Sequence, residues 1–191
     1  MSVSLEEVRQ VRAEADCLYS AAEVEVALDR LAAAITAKHR DNNPLILCVM
    51  NGGLITTGCL LLRLDFPLEH DYLHATRYRG ATSGGELHWK AEPGIPLQER
   101  HVIVIDDILD EGYTLAAIVE HCRAQGARSV ESVVLVEKQH GRKHGIQADY
   151  VGLQTEDRYL FGYGMDYKGY LRNMPGIYAC QEKFTHKDAT E

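Results

Sequence analysis

The chain is predicted to fold as an α/β protein whose central, mainly parallel sheet is flanked by helices. Three observations predict it. Within HVIVIDDILDEGYTL, Val102–Ile105 read as a core strand that passes through an acidic, glycine-bearing loop into a helix, and Ser129–Val136 then forms another apolar strand. Strand, helix and strand at these lengths make a parallel crossover unit. Leu45–Met50 (LILCVM) is a short apolar run bounded by turn residues, the signature of a strand buried on both faces. Finally, 191 residues with 46% apolar and 25% charged side chains are enough for one ordinary domain, with neither a repeat nor a low-complexity linker.

The elements follow in order. Ser4 is a suitable N-cap for a helix over LEEVRQVRAEA. Ser20 and Glu23 fit a capping box, after which Val24, Leu28, Leu31, Ala32 and Ile35 fall on one helical face. Asn42-Asn43-Pro44 breaks that helix before LILCVM, and Asn51-Gly52-Gly53 turns the chain into an apolar helix over 54–64. The polar stretch from Asp71 to Lys90 has two readings of equal standing, a functional loop or a solvated hairpin. After Gly112, the residues Leu115, Ile118, Val119 and Cys122 recur at helical spacing until Gly126. The last third (YVGL, YLFGYGMDY, IYAC) reads as short strands and loops.

Charge narrows the function. With 20 Lys and Arg against 28 Asp and Glu, the formal charge is −8, which argues against a general nucleic-acid binder. It leaves room for a phosphorylated small molecule, since backbone amides or a metal ion can neutralise phosphate locally. No apolar run approaches the roughly 18–20 residues a membrane span needs, and the first residues carry acids where a signal peptide needs bases. A cytoplasmic protein without membrane or nucleic-acid partners is therefore expected. Cys17, Cys48, Cys59, Cys122 and Cys180 are widely spaced without a C-x-x-C pair, so reduced, mostly buried thiols are expected rather than a structural zinc site.

The chemistry concentrates after Ile105. In open parallel sheets ligands bind at the carboxyl ends of strands, and here that end carries Asp106, Asp107, Asp110, Glu111, Gly112, Tyr113 and Thr114. A loop entering a helix leaves backbone N–H groups without partners, and the helix dipole adds partial positive charge. Gly112 permits the backbone geometry of an anion cradle, and the Thr114 hydroxyl can donate to a phosphate oxygen. Paired acids suit sugar hydroxyls, so the segment suggests a sugar phosphate held at both ends. The plainer alternative is that Asp110 caps the helix while Asp106 and Asp107 are solvated. Mutual repulsion among four acids within six positions favours the functional reading. No G-x-x-x-x-G-K-[ST] phosphate loop occurs.

VIVIDDILDEGYTL closely resembles the phosphoribosyl-pyrophosphate motif of the type I phosphoribosyltransferases, and elements from Leu45 to Arg172 are similar in order to the hypoxanthine-guanine branch of that family. The resemblance implies a single phosphoribosyltransferase domain over 1–191, with a small hood from the N- and C-terminal segments and a mobile lid loop over about 77–90 that includes Arg77 and Tyr78. It implies that Asp106 and Asp107 hold the ribose hydroxyls, while the amides of Asp110, Glu111, Gly112, Tyr113 and Thr114 bind the 5-phosphate. Asp110 would be the catalytic group, managing the purine N7 proton. Asn51-Gly52 occupies the pyrophosphate loop, where a cis peptide often presents an N–H, and Arg172 matches a second pyrophosphate contact. Lys138 matches the donor to the purine 6-oxygen, Tyr159 the ring stacked on the base, and Leu160 a backbone contact to its edge. Asp166 matches a carboxylate at the purine and magnesium end, so that Asp106, Asp107 and Asp166 would serve Mg2+.

Departures from the family pattern are Asn51 where lysine is common, Glu111 and Tyr113 where threonine and lysine are common, and Arg77 where serine precedes the lid tyrosine. Taken by themselves, Tyr159 and Tyr163 read as core aromatics, Lys138 as a surface lysine, Arg172 as a structural partner of Asp166, and His140 and His144 as solvated. The resemblance implies Mg2+-dependent transfer of phosphoribosyl from phosphoribosyl pyrophosphate to N9 of hypoxanthine or guanine, giving IMP or GMP and pyrophosphate in a homodimer or homotetramer. Alternatives are an enzyme for xanthine or a pyrimidine, or a nucleotide-sensing regulator of the same fold. A phospho-acceptor receiver domain would need its acid pair at the first strand, and the order here differs.

Overall fold

The computed structural model describes residues 3–77, 87–143 and 145–185. Helix α1 (Leu5–Glu14) starts where Ser4 Oγ accepts the Glu7 N–H at 3.1 Å. A short strand, β1 (Asp16–Tyr19), separates it from α2 (Ala21–His39). The α2 capping box is complete: Glu23 accepts the Ser20 N–H at 2.8 Å, and Ser20 Oγ accepts the Glu23 N–H at 3.4 Å. Such a cap contributes about 1 kcal/mol. The expected apolar face, Val24 to Ile35, is buried.

The chain continues through β2 (Leu45–Val49), α3 (Gly53–Leu61), β3 (Glu69–Arg77), β4 (Leu87–Ala91), β5 (His101–Leu109), α4 (Tyr113–Ala124) and β6 (Ser129–Gln139). It ends with β7 (Tyr150–Glu156), β8 (Leu160–Phe161), β9 (Ile177–Ala179) and a 3-10 turn at Glu182–Phe184. Six strands form one sheet in the order β4-β3-β2-β5-β6-β7, parallel except for β4. β1, β9 and β8 form a separate antiparallel sheet that joins the two ends of the chain.

Alternation along β5 divides the core. Ile103 and Ile105 pack toward α2 and α3, whereas Val102 and Val104 pack toward Leu115, Ile118 and Cys122 of α4. Each such fully buried aliphatic side chain stabilises the fold by about 1.5–3 kcal/mol. Both sheet faces are covered, which explains the unbroken apolar runs of β2 and β5.

The structure corrects or completes the sequence reading at four points. α3 ends at Leu61 rather than at residue 64; the Arg63 side chain takes the Cys59 carbonyl at 2.9 Å and Leu62 turns outward. The stretch from Asp71 carries strands β3 and β4, paired antiparallel, so the hairpin reading holds for its described residues. Asp71 itself accepts the N–H groups of Gly94 and Ile95, tying down the return from β4. β5 and β6 run on past the apolar residues that announce them, to Leu109 and Gln139, because the ladder between them continues from Asp106–Val134 to Leu109–Glu137. Strand β1 has no pattern of its own and exists through its pairing with β9.

All five cysteines are free thiols, with Cys48, Cys122 and Cys180 buried. Among the described residues no helix is long and apolar enough to cross a membrane. Of the expected lid, Tyr78 lies outside the described residues, and Arg77 is the last residue of β3.

Candidate active site

Sheet order reverses between β2 and β5: the chain leaves β2 toward β3 on one side and places β5 on the other. Such a switch point opens a crevice at the carboxyl ends of the two strands. A cavity of about 820 Å³ lies there, bounded by Val49, Met50 and Gly52 after β2 and by residues from Asp106 onward on β5.

Asp106 and Asp107 are the last acids of a strand, not residues of a solvated loop. Asp107 is 8% exposed, and its N–H donates to Asp106 Oδ1 at 2.9 Å. Burial pushes the Asp106 carboxyl well above its ordinary range, and the neighbouring Asp107 charge adds to that. Burial also raises Asp107, opposed by a hydrogen bond from Asp106 and by the Arg172 charge. A Cβ on Gly52 would lie 2.1 Å from Asp107 Oδ2, so the turn backbone rests directly against this carboxylate. The peptide between Met50 and Asn51 is cis. Gly52 lines the cavity, while Asn51 lies beside it in the exposed turn.

Gly112 has φ of +90° and begins α4 with no side chain capping the helix. The first N–H groups of α4, around Tyr113 and Thr114, thus meet the cavity with the positive end of the helix dipole. The first turn contains no acid. Glu111 lines the cavity just ahead of it.

Asp110 does not cap the helix. Its carboxylate accepts from Lys138 Nζ at 2.8 Å and sits 2.8 Å from His140 Nε2. Burial would raise this carboxyl, but the bonds from Lys138 and His140 outweigh it and hold the group below its ordinary value. Because β5 and β6 pair Leu109 with Glu137, the next residues, Asp110 and Lys138, come side by side. Lys138 lies within β6 and is buried, contrary to its reading as a surface lysine, with Asp157 3.5 Å from its ammonium on the other side. The His140 side chain is likewise covered, 7% exposed, where the spacing alone suggested a solvated one.

The opposite wall comes from the loop after β8. Arg172 is ion-paired to Asp166 at 2.6 Å and donates to the Gly164 carbonyl at 2.6 Å, and Asp166 also accepts the Gly169 N–H. Both residues line the cavity. The cavity wall therefore gathers Gly52, Asp106, Asp107, Asp110 to Thr114, Asp166 and Arg172. Lys138 reaches it through Asp110. Tyr159 and Leu160 stand apart from its lining: Tyr159 is 40% exposed with its ring edge-on to Tyr167, and Leu160 is buried in β8 opposite Ala179.

The phosphoribosyl transferase domain model matches residues 14–168. The chain belongs to the phosphoribosyltransferase family. Among the relatives of this phosphoribosyltransferase, the hypoxanthine-guanine-xanthine phosphoribosyltransferase of Tritrichomonas foetus is 33% identical over 166 residues, covering 86% of this chain and 91% of that protein. The hypoxanthine-guanine phosphoribosyltransferase of Bacillus subtilis (strain 168) is 35% identical over 161 residues, covering 84% and 89%. In three dimensions, a hypoxanthine phosphoribosyltransferase of Staphylococcus aureus superposes with a TM-score of 0.84 at 28% identity, covering 88% of this chain and 92% of that one. The parallel sheet with flanking helices is thus the type I phosphoribosyltransferase fold, and the chain is a phosphoribosyltransferase enzyme.

Two residues beside the cavity escape a reading of the sequence, His140 and Asp157, both gathered around Asp110 and Lys138. The signal that finds them is register. Once β6 is extended to Gln139, the residue after it falls beside the loop following β5.

Proposed function

We propose that this phosphoribosyltransferase serves purine salvage, transferring phosphoribosyl from phosphoribosyl pyrophosphate to N9 of hypoxanthine or guanine and yielding IMP or GMP with pyrophosphate. The observation that carries the reading is one cavity in which Asp106 and Asp107 face the uncapped start of α4 while Lys138 is held against Asp110. The names of the Tritrichomonas foetus and Bacillus subtilis relatives, both phosphoribosyltransferases for hypoxanthine and guanine, support it. We place the protein in the cytoplasm, as one domain with the β1-β9-β8 sheet as its hood, acting as a homodimer or homotetramer.

In this reading Asp106 and Asp107 accept the ribose hydroxyls, and the amides from Asp110 through Thr114 cradle the 5-phosphate. The cradle places Glu111 at its edge, where the carboxylate must turn to solvent when a dianion binds. Asn51-Gly52 and Arg172 receive the pyrophosphate. Tyr159 stacks on the base and the Leu160 backbone reads its edge after the hood closes over it, because in the free protein both stand outside the cavity lining. Arg77 and Tyr78 belong to the lid that excludes water from the activated sugar.

As the anomeric C–O bond breaks, its electron pair leaves on pyrophosphate and N9 supplies the new bond to carbon. Asp110 takes the N7 proton, acting as base in this direction and as acid in reverse. Lys138 has donors only, so it matches a 6-oxo group and not the 6-amino group of adenine. The donor set suits a hard divalent cation, with the carboxylates of Asp106 and Asp107 at the end of β5 and that of Asp166 on the facing loop all lining one cavity. These residues would hold Mg2+, which when bound supplies charge neutralisation for the departing pyrophosphate.

The test is pyrophosphate release with hypoxanthine, guanine, xanthine and adenine, each with and without magnesium. Turnover of the 6-oxopurines that disappears with chelator is expected, and adenine as the preferred base would overturn the Lys138 assignment. Xanthine is included because the Tritrichomonas foetus relative is described as using it.

A further inference from the structure

Both oxygens of Asp110 are taken in the free protein, and the two partners differ in kind. Lys138 holds Oδ2 at 2.8 Å from a flexible stem. The function proposed above sends that ammonium to the purine 6-oxygen, so its bond is the one that opens when base enters. His140 holds Oδ1 at 2.8 Å with a ring that has no such freedom. Its Nδ1 accepts the N–H of Arg142 at 3.1 Å across a turn of its own segment. A nitrogen that accepts carries no proton, so the ring proton lies on Nε2, aimed at Oδ1. Arg142 is in turn ion-paired to Asp157, which fixes the far side of the turn.

We propose that His140 is a positioning residue for the transfer: an imidazole that pins Asp110 Oδ1, so that Oδ2, once Lys138 swings to the base, is the oxygen presented to the N7 proton. The inference rests on the phosphoribosyl-transfer reading and deepens it.

Asp110, His140 and Asp157 place ligand atoms within 4.8 Å of one another, as a metal site would. Here that set is committed to protein partners. Lys138 Nζ lies between Asp110 and Asp157 at 2.8 and 3.5 Å, and both His140 nitrogens are engaged.

The test compares His140→Leu with His140→Gln, since the glutamine amide can donate to Oδ1 and leucine cannot. The pair is faced by Lys138 of β6 and by Asp157 and Arg142 beyond it, and Asp110 shares its cavity with Glu111 and Asp107 of its own segment. His140→Leu is expected to lose roughly tenfold or more in kcat, part of the about 10²–10⁴-fold that a positioned acid–base group supplies. Its KM for phosphoribosyl pyrophosphate should stay within about twofold, the split expected when only the transition state loses an interaction. The acid limb of kcat moves to higher pH, because the charged form of Asp110 has lost a donor. His140→Gln recovers most of the turnover and the wild-type limb.

A second readout needs no turnover: the 13C-carboxyl titration of Asp110 in the free protein moves to higher pH in His140→Leu and stays in place in His140→Gln. An unmoved titration, an unmoved acid limb, or wild-type kcat in His140→Leu overturns the role of His140. If wild-type protein turned over no purine, the transfer reading would fail instead, a result distinct from any produced by the variants.

Discussion

Gly112 is the backbone position on which the loop between β5 and α4 turns, and its cost of replacement can be worked out from a matched pair. At φ of +90° it disfavours any side chain, and a Cβ there would also meet Ile146 Cγ2 at 2.5 Å and Leu109 Cδ1 at 3.3 Å. Gly169 has nearly the same φ, +89°, yet nothing lies within 4 Å of its Cβ position. The conformational penalty of an L-residue, about 1–2 kcal/mol, is therefore common to Gly112→Ala and Gly169→Ala. Their difference isolates the clash, which overpacking data put at about 1–3 kcal/mol. For a chain of this size each kcal/mol shifts Tm by roughly 2–4 °C, so Gly112→Ala should melt about 2–12 °C below Gly169→Ala. Thermal unfolding by circular dichroism measures this directly. Adding Ile146→Ala should recover part of the deficit in the Gly112→Ala background and none in the other. Equal melting temperatures for the two alanine variants would refute the close approach of Gly112 to Ile146.

Asp110→Asn keeps the shape of the side chain and removes its basicity, so kcat should fall about 10²–10⁴-fold with little change in KM for phosphoribosyl pyrophosphate. Steady-state kinetics decide it, and wild-type kcat would remove Asp110 from the chemistry. Away from the cavity, burial raises the Glu131 carboxyl, but Lys38, His39 and Tyr150 more than reverse this and lower it below 4.5. A depressed carboxyl contributes stability that is present above its unfolded pKa and is lost as pH falls through its folded value. The urea midpoint should therefore drop further between pH 7 and pH 4 in wild type than in Glu131→Gln; equal drops would show that the cluster contributes nothing to acid stability. Burial pushes the Cys122 thiol up to about 11, and Cys17 is exposed. Iodoacetamide at pH 8 should label Cys17 in the native protein and reach Cys122 only after denaturation, as peptide mapping would reveal.

Local pattern and tertiary context share the explanation unequally. The capping box at Ser20 and Glu23, the apolar face of α2 and the all-apolar β2 follow from neighbours in the chain, and each was legible there. So was the junction of strand, acids, glycine and helix, because its residues are contiguous and its family motif is long. The ends of β5 and β6 were not legible. Acids and lysine disfavour strand, and only the ladder from Asp106–Val134 onward keeps them extended. β1 is a similar case, four residues ordered by a partner more than 150 positions away.

By itself, then, the sequence determined the α/β class, the helix starts, and the acidic, glycine-bearing junction between β5 and α4. Only the tertiary structure decided the company Asp110 keeps. Lys138, His140 and Asp157 carry no common spacing with it, and they meet because parallel strands in register bring distant residues to one edge of the sheet. The physical reason is that helix caps and turns are satisfied within a few residues, whereas the charge state and orientation of a buried carboxylate depend on donors the chain delivers from elsewhere.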